Sequence, residues 1–170
     1  QWEQRSFPKL PALEDCWPMK TTPPFVPLHS RWDRRWGLGV PGQPDTSTVA
    51  GGYGAGGWIR LSEPEPYDEA LLAAMADAWV PAIMAHTDLA VHAPTLELTV
   101  QFRADPRELE MTSDNYCAAV FRQLSGGEGF LDETGEIWSP DGQLLALSRQ
   151  LAVLLPRDDD LVGNWEFVGP

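Results

Sequence analysis

The sequence is poor in the residues that most catalytic chemistries lean on. It has two cysteines, Cys16 and Cys117, far apart in the chain. That is too few for a disulfide framework, and two free thiols in a reducing compartment is the simpler reading. The three histidines, His29, His86 and His92, have no metal-ligand spacing with Cys or acidic residues. They read as structural or exposed, and no metal or cofactor is expected. No Ser-His-Asp arrangement is evident. Lysine occurs twice, and 12 bases against 25 acids leave a net charge of −13. Such a balance argues against nucleic acid or an anionic membrane surface as the main partner. Ten of the 12 bases are arginine, the better fork for phosphate, so a local phosphate site stays open. No apolar run is long enough to span a membrane, and the start has no signal-peptide pattern, which fits a cytoplasmic protein.

In excess are proline (16) and tryptophan (8), within 170 residues, a length that suits one domain with extra arms. Pro8, Pro11, Pro18, Pro23 and Pro24 make residues 1–24 an extended arm or linker. Trp2, Phe7, Leu10, Leu13 and Trp17 make that arm apolar enough to lie on a surface. Residues 25–38 alternate as a strand, with Leu28, Ser30, Trp32, Arg34 and Trp36 on one side. Residues 39–57 read as a loop. Gly52 to Gly57 formally matches G-x-G-x-x-G, but a dinucleotide site needs a strand before it and a helix after it. Here the short strand Trp58–Leu61 follows, and the match is rejected. Residues 157–170 are an acidic tail, a solvated charge run in which Trp165 and Phe167 are the candidates for docking.

The chain is organised around residues 68–86. Asp68 is the expected N-cap, with Glu69 in the first turn. From Leu71 to Met84 the stretch is apolar except for Asp77. This predicts one helix, buried on nearly all sides, with a single expensive carboxylate. Pro81 lacks the N–H that would bond the Asp77 carbonyl, so the backbone should bend or end beside that carboxylate.

Antiparallel strands are predicted after the helix. Thr95–Arg103 alternates, with Leu96, Leu98, Val100 and Phe102 on one face. Thr95 falls on the other face and points away from Asp77 if those four pack on the helix, unless Pro94 makes the strand start irregular. Strands over 115–124, 129–138 and 143–155 follow, the last after a Pro140-Asp141-Gly142 turn. Leu144, Ala146, Ser148, Gln150, Ala152 and Leu154 share one face. The small neighbours of Gln150 leave space for water or ligand, although spacing alone favours a solvent-facing Gln. Glu128, Asp132, Glu133 and Glu136 read as a solvated hairpin. Arg31, Arg34, Arg35, Arg60 and Arg103 read as exposed strand arginines and are assigned no site. One helix with these strands is an α+β layer arrangement in which the sheet must wrap the helix or another subunit must help cover it.

Three stretches, Ala76-Asp77-Ala78, Thr95 to Arg103, and Asp141 to Ala146 running into Ser148-Arg149-Gln150, form an ordered set. With Gly56 to Arg60 as a first strand, the set resembles the C-terminal half of the double hotdog acyl-CoA thioesterases, the bacterial thioesterase II type. The resemblance covers residues 25–156. It implies a hotdog fold, one long central helix wrapped by a curved antiparallel sheet of about six strands. It also implies hydrolysis of acyl-CoA thioesters, in fatty acid metabolism, with the attacking water held by Asp77, Thr95 and Gln150. A carboxylate can take the water's proton, burial would strengthen it as a base, and Gln150 and Thr95 can fix the water. Backbone N–H groups near Pro81 or on a neighbouring loop would meet the oxyanion.

Members of that family carry two hotdog halves in one chain, and this chain has room for one. The start at Gln1 rather than Met and the linker-like arm make a fragment of a longer enzyme the first expectation. A two-chain pair or a homodimer are the others. The expected partners are therefore acyl-CoA and a second hotdog unit. The alternative is a non-catalytic hotdog domain that binds acyl groups or serves in assembly. A hotdog hydratase ranks last, since no His occupies the middle of the helix.

Overall fold

A computed structural model of the chain describes residues 5–19, 27–41, 43, 48–49, 52–85, 91–108, 111–112 and 114–156. Trp2, Pro23, Pro24, Phe25, His86 and the tail 157–170 lie outside the described residues. The strands are β1 (Trp17–Pro18), β2 (Trp32–Leu38), β3 (Thr48–Val49), β4 (Gly52–Leu61), β5 (Val91–His92), β6 (Thr95–Phe102), β7 (Cys117–Gly127), β8 (Phe130–Trp138), β9 (Leu144–Val153) and β10 (Leu155–Pro156). One α-helix, α1 (Glu69–Ala76), lies between β4 and β5. The main sheet runs β1-β2-β4-β7-β8-β9-β6, with β3 on β4 and a separate β5–β10 pair, and every pairing is antiparallel. Helix α1 lies over β6, β8 and β9, and a 3₁₀ turn at Ala82–Ala85 lies over β4 and β7. Among the described residues this is a single α-helix against a curved antiparallel sheet, as the hotdog resemblance implies.

The helix begins where expected. The Asp68 carboxylate accepts the Leu71 N–H at 2.8 Å, which satisfies one of the orphan amides of the first turn. It ends much earlier than expected, at Ala76 rather than His86, with Asp77 as its C-cap. The Asp77 and Ala78 amides turn back to the Ala74 and Met75 carbonyls, both at 3.2 Å, a tightened i→i−3 last turn. Pro81 supplies no amide for the Asp77 carbonyl, so α-helix cannot run unbroken through it. The helix is also less enclosed than its composition suggests: Leu72, Met75 and Ala76 are buried, while Ala70 and Ala74 are exposed.

Two further boundaries differ from the sequence expectation. Residues 27–31 form a 3₁₀ turn, and strand begins only at Trp32. The predicted alternation holds from there, with Trp32, Arg34 and Trp36 all buried. The glycine-rich run at 52–57 is not loop but the first half of β4. It forms a strand because it is glycine. A Cβ on Gly57 would stand 1.9 Å from the Arg35 carbonyl oxygen, and one on Gly56 2.2 Å from that of Ala119. Both neighbouring strands thus approach more closely than any side chain permits.

The core lies between the sheet and the segment from α1 to Ala85, and is built from Trp36, Ile59, Leu72, Met75, Trp79, Phe121 and Ile137. Fully burying a residue such as Leu72 stabilises by about 1.5–3 kcal/mol. Part of the opposite face of the sheet, around Trp58 and Trp138, is covered by the N-terminal arm, whose apolar residues suggested a surface to lie on. Phe7 packs on Trp58 and Trp138, with ring centroids at 6.2 and 5.8 Å. The Trp58 Nε1 donates to the Pro11 carbonyl at 3.0 Å, and Arg5 pairs with Glu136. Cys16 and Cys117 are both buried free thiols, in line with the expectation. Among the described residues no helix is long and apolar enough to cross a membrane.

Candidate active site

The early end of α1 puts Asp77 at a helix terminus, with φ −110° and ψ 1°, and not within a helical turn. Its side chain meets two others. The Thr95 hydroxyl donates to Asp77 Oδ1 at 3.1 Å, and Gln150 Nε2 donates to the same oxygen at 2.6 Å. Gln150 Nε2 also reaches Thr95 Oγ1 at 2.5 Å. All three residues named from the sequence therefore converge. They come from a helix end, the start of an edge strand and the middle of β9.

The orientation of Thr95 corrects the simple alternation. In the β6–β9 ladder Thr95 stands opposite Ala152 and Glu97 opposite Leu151, so β6 carries one extra residue at Leu96. A bulge of this kind reverses the side-chain order at one point. Thr95 then shares the helix side with Leu98, which faces Gln150, while Leu96 is 56% exposed. The irregular strand start after Pro94 is real, and it aims the hydroxyl at Asp77. Gln150 likewise turns to the helix side and not to open solvent.

Burial of Asp77 is the expectation that fails. In this chain Asp77 and Thr95 are exposed and Gln150 is half-buried. The composition of the helix suggested enclosure, but the Asp77 side chain is exposed, although Met75 and Ala76 before it and residues 78–80 after it are buried.

Three other charged residues differ from the sequence expectation. Glu133 and Glu136, placed in a solvated hairpin, are only 4% and 5% exposed. Glu133 stands directly opposite Gln150 in the β8–β9 register and accepts the Ala82 N–H at 3.0 Å. Burial pushes its carboxyl up to about 7, partly opposed by that amide. Arg34, placed among exposed strand arginines, is 2% exposed and donates Nη1 to the Ala78 carbonyl at 2.6 Å. Burial brings its guanidinium down to about 10, and burial together with Arg34 brings His29 down to about 4. The signal for Glu133 and Arg34 was the period-two face: Glu133 falls in line with Leu131 and Ile137, and Arg34 between Trp32 and Trp36. Arg31, Arg35 and Arg60 are engaged by Glu65 or Asp33, and Arg103 by Gln101. Among the described residues no group of three His, Cys, Asp or Glu is placed to hold a metal ion.

A family model for the acyl-CoA thioesterase C-terminal domain matches residues 13–154. Among solved structures, a hotdog-fold protein of unknown function from Alicyclobacillus acidocaldarius is 28% identical, with a TM-score of 0.75, over 93% of this chain and 58% of its own. The acyl-CoA thioesterase II TesB2 from Mycobacterium marinum is 20% identical, with a TM-score of 0.65, over 93% of this chain and 59% of its own. At that identity the likeness shows the fold alone. The chain thus spans less than two thirds of the length of either structure. A search of curated proteins finds no match. Because the family model spans most of the 170 residues, the chain belongs to the acyl-CoA thioesterase C-terminal domain family and has a hotdog fold.

Proposed function

We propose that this chain hydrolyses acyl-CoA thioesters to a free acid and CoA, with Asp77 as general base and Gln150 and Thr95 holding the attacking water with it. The observation that carries this reading is the meeting of the three side chains from three separate elements, with Thr95 and Gln150 both donating to Asp77 Oδ1. Both protein donors fall on Oδ1. In this proposal Oδ2 is the oxygen that takes the proton. In the reaction a water oxygen bonds to the thioester carbonyl carbon while its proton passes to Asp77. The tetrahedral intermediate then breaks its C–S bond, and the departing CoA sulfur recovers the proton from Asp77. One water is consumed, and one acid and one thiol are formed. Gln150 and Thr95 contribute by fixing the carboxylate and the water relative to each other.

A second hotdog unit, from the same polypeptide or from a partner chain, completes the site in this proposal. Three observations support it. The chain spans 58–59% of the solved structures it resembles. Strand β6 ends the sheet, with Leu96 56% and Phe102 45% exposed on it. Asp77 lacks the cover that general-base chemistry at neutral pH favours.

The test is thiol release from a panel of acyl-CoAs. Asp77→Asn should abolish turnover while leaving the circular dichroism spectrum and Tm unchanged. Undiminished hydrolysis by that variant sinks the assignment. Acyl-CoA binding without any thiol release by the unsubstituted protein would favour the non-catalytic alternative.

A further inference from the structure

Pro81 explains the loss of one helical hydrogen bond, the one to the Asp77 carbonyl. It does not explain the next. If α1 continued, the Ala82 N–H would bond the Ala78 carbonyl, four residues back. Those two groups are present and able to pair. Instead, each is taken by a side chain. Arg34, on β2, donates to the Ala78 carbonyl at 2.6 Å. Glu133, on β8, accepts the Ala82 N–H at 3.0 Å. Two side chains from different strands thus occupy the two halves of one missing helical bond.

Both side chains are charged types, and both are buried, at 2% and 4% exposure. Among the described residues neither forms an ion pair with an oppositely charged side chain. Arg34 also leaves its Nε without an acceptor. Burying such groups is costly, and an uncharged core would be cheaper if stability were their only role. Their placement suggests what they are for. The segment they hold starts at Asp77, and Glu133 stands across the ladder from Gln150.

We propose that Arg34 and Glu133 are positioning residues, a clamp that keeps the helix open after Asp77 and so aims its carboxylate at Thr95 and Gln150. The inference rests on the thioesterase site proposed above. A helix continued through Ala82 would return Asp77 to helical dihedrals and rotate its side chain off that direction. Misplacement of a catalytic group by about 1 Å can lower the rate by about a hundredfold.

The experiment uses the full chain and four variants. Glu133→Gln keeps an acceptor and Arg34→Lys keeps a donor, whereas Glu133→Leu and Arg34→Met keep neither. For acyl-CoA hydrolysis, the Leu and Met variants should lose about tenfold or more in kcat, with KM within about twofold. The Gln and Lys variants should recover most of that loss. A folded Glu133→Leu with undiminished kcat, or a Glu133→Gln as impaired as Glu133→Leu, overturns the clamp. Amide hydrogen exchange on the unsubstituted protein tests it without any variant needing to fold. The Ala82 amide should be as protected as the strand interiors, and exchange at loop rates there overturns the proposal. Asp77→Asn separates the two ideas. If it alone stays fully active, the thioesterase site is wrong, while the exchange result still decides the clamp.

Discussion

Glu133 should make the stability of this protein fall as pH rises, and the size of the effect follows from its burial. Its carboxyl is raised from an ordinary 4.5 to about 7 because burial penalises the charged form, with the Ala82 amide only partly offsetting that. Below the lower value the group is protonated in both the folded and the unfolded chain. Between the two values the unfolded chain releases the proton and the folded chain keeps it. The folded state then binds more protons, so stability drops with rising pH. Above about 7 the drop is complete and amounts to about 3 kcal/mol. Glu133→Gln is neutral throughout and still offers an oxygen to Ala82. It should match the unsubstituted protein near pH 4 and exceed it at pH 8 by about 1–3 kcal/mol, since part of the charged hydrogen bond is given up. In a chain of this size that corresponds to roughly 2–12 °C in Tm. Urea unfolding followed by tryptophan fluorescence across this pH range reads the difference directly, provided m stays constant. Parallel profiles for the two proteins, or a less stable variant at pH 8, would refute the reasoning.

Three further outcomes follow from the same geometry. Thr95→Val removes the hydroxyl that bonds Asp77 and should lower kcat for acyl-CoA hydrolysis by about tenfold; Thr95 is exposed, so Tm should move by no more than about 2 °C. Gly57→Ala would set a Cβ 1.9 Å from the Arg35 carbonyl oxygen, forcing β2 off β4, and thermal unfolding should show a loss of about 3 kcal/mol or more. Burial pushes the Cys16 and Cys117 thiols up to about 11 and about 12. At pH 8 a disulfide reagent should therefore label neither in the native protein and both after denaturation, which also leaves that reagent free to read CoA release.

Much of this molecule was legible in its sequence because the physics involved is local. The Asp68 cap, the alternation of β2 from Trp32 to Trp36, and the Pro140-Asp141-Gly142 turn all act over a few residues, and each stands where its pattern puts it. Asp77 stood out because a carboxylate in an apolar run is costly wherever the run packs. The resemblance in order and spacing then named Thr95 and Gln150 beside it.

What the tertiary structure decided is non-local. One extra residue at Leu96 turns Thr95 toward Asp77, and only the register against β9 reveals it. Glycines at 56 and 57 make strand and not loop, because two neighbouring backbones press on them. Glu133 and Arg34 look like surface charges in a string of letters. Whether a charged side chain is solvated depends on which strands lie beside it and which backbone groups of residues 78–82 need a partner. The sequence alone determined that the helix could not run unbroken past Pro81. The surrounding strands decided where it stops and what fills the break, since those partners are more than 40 positions away in the chain.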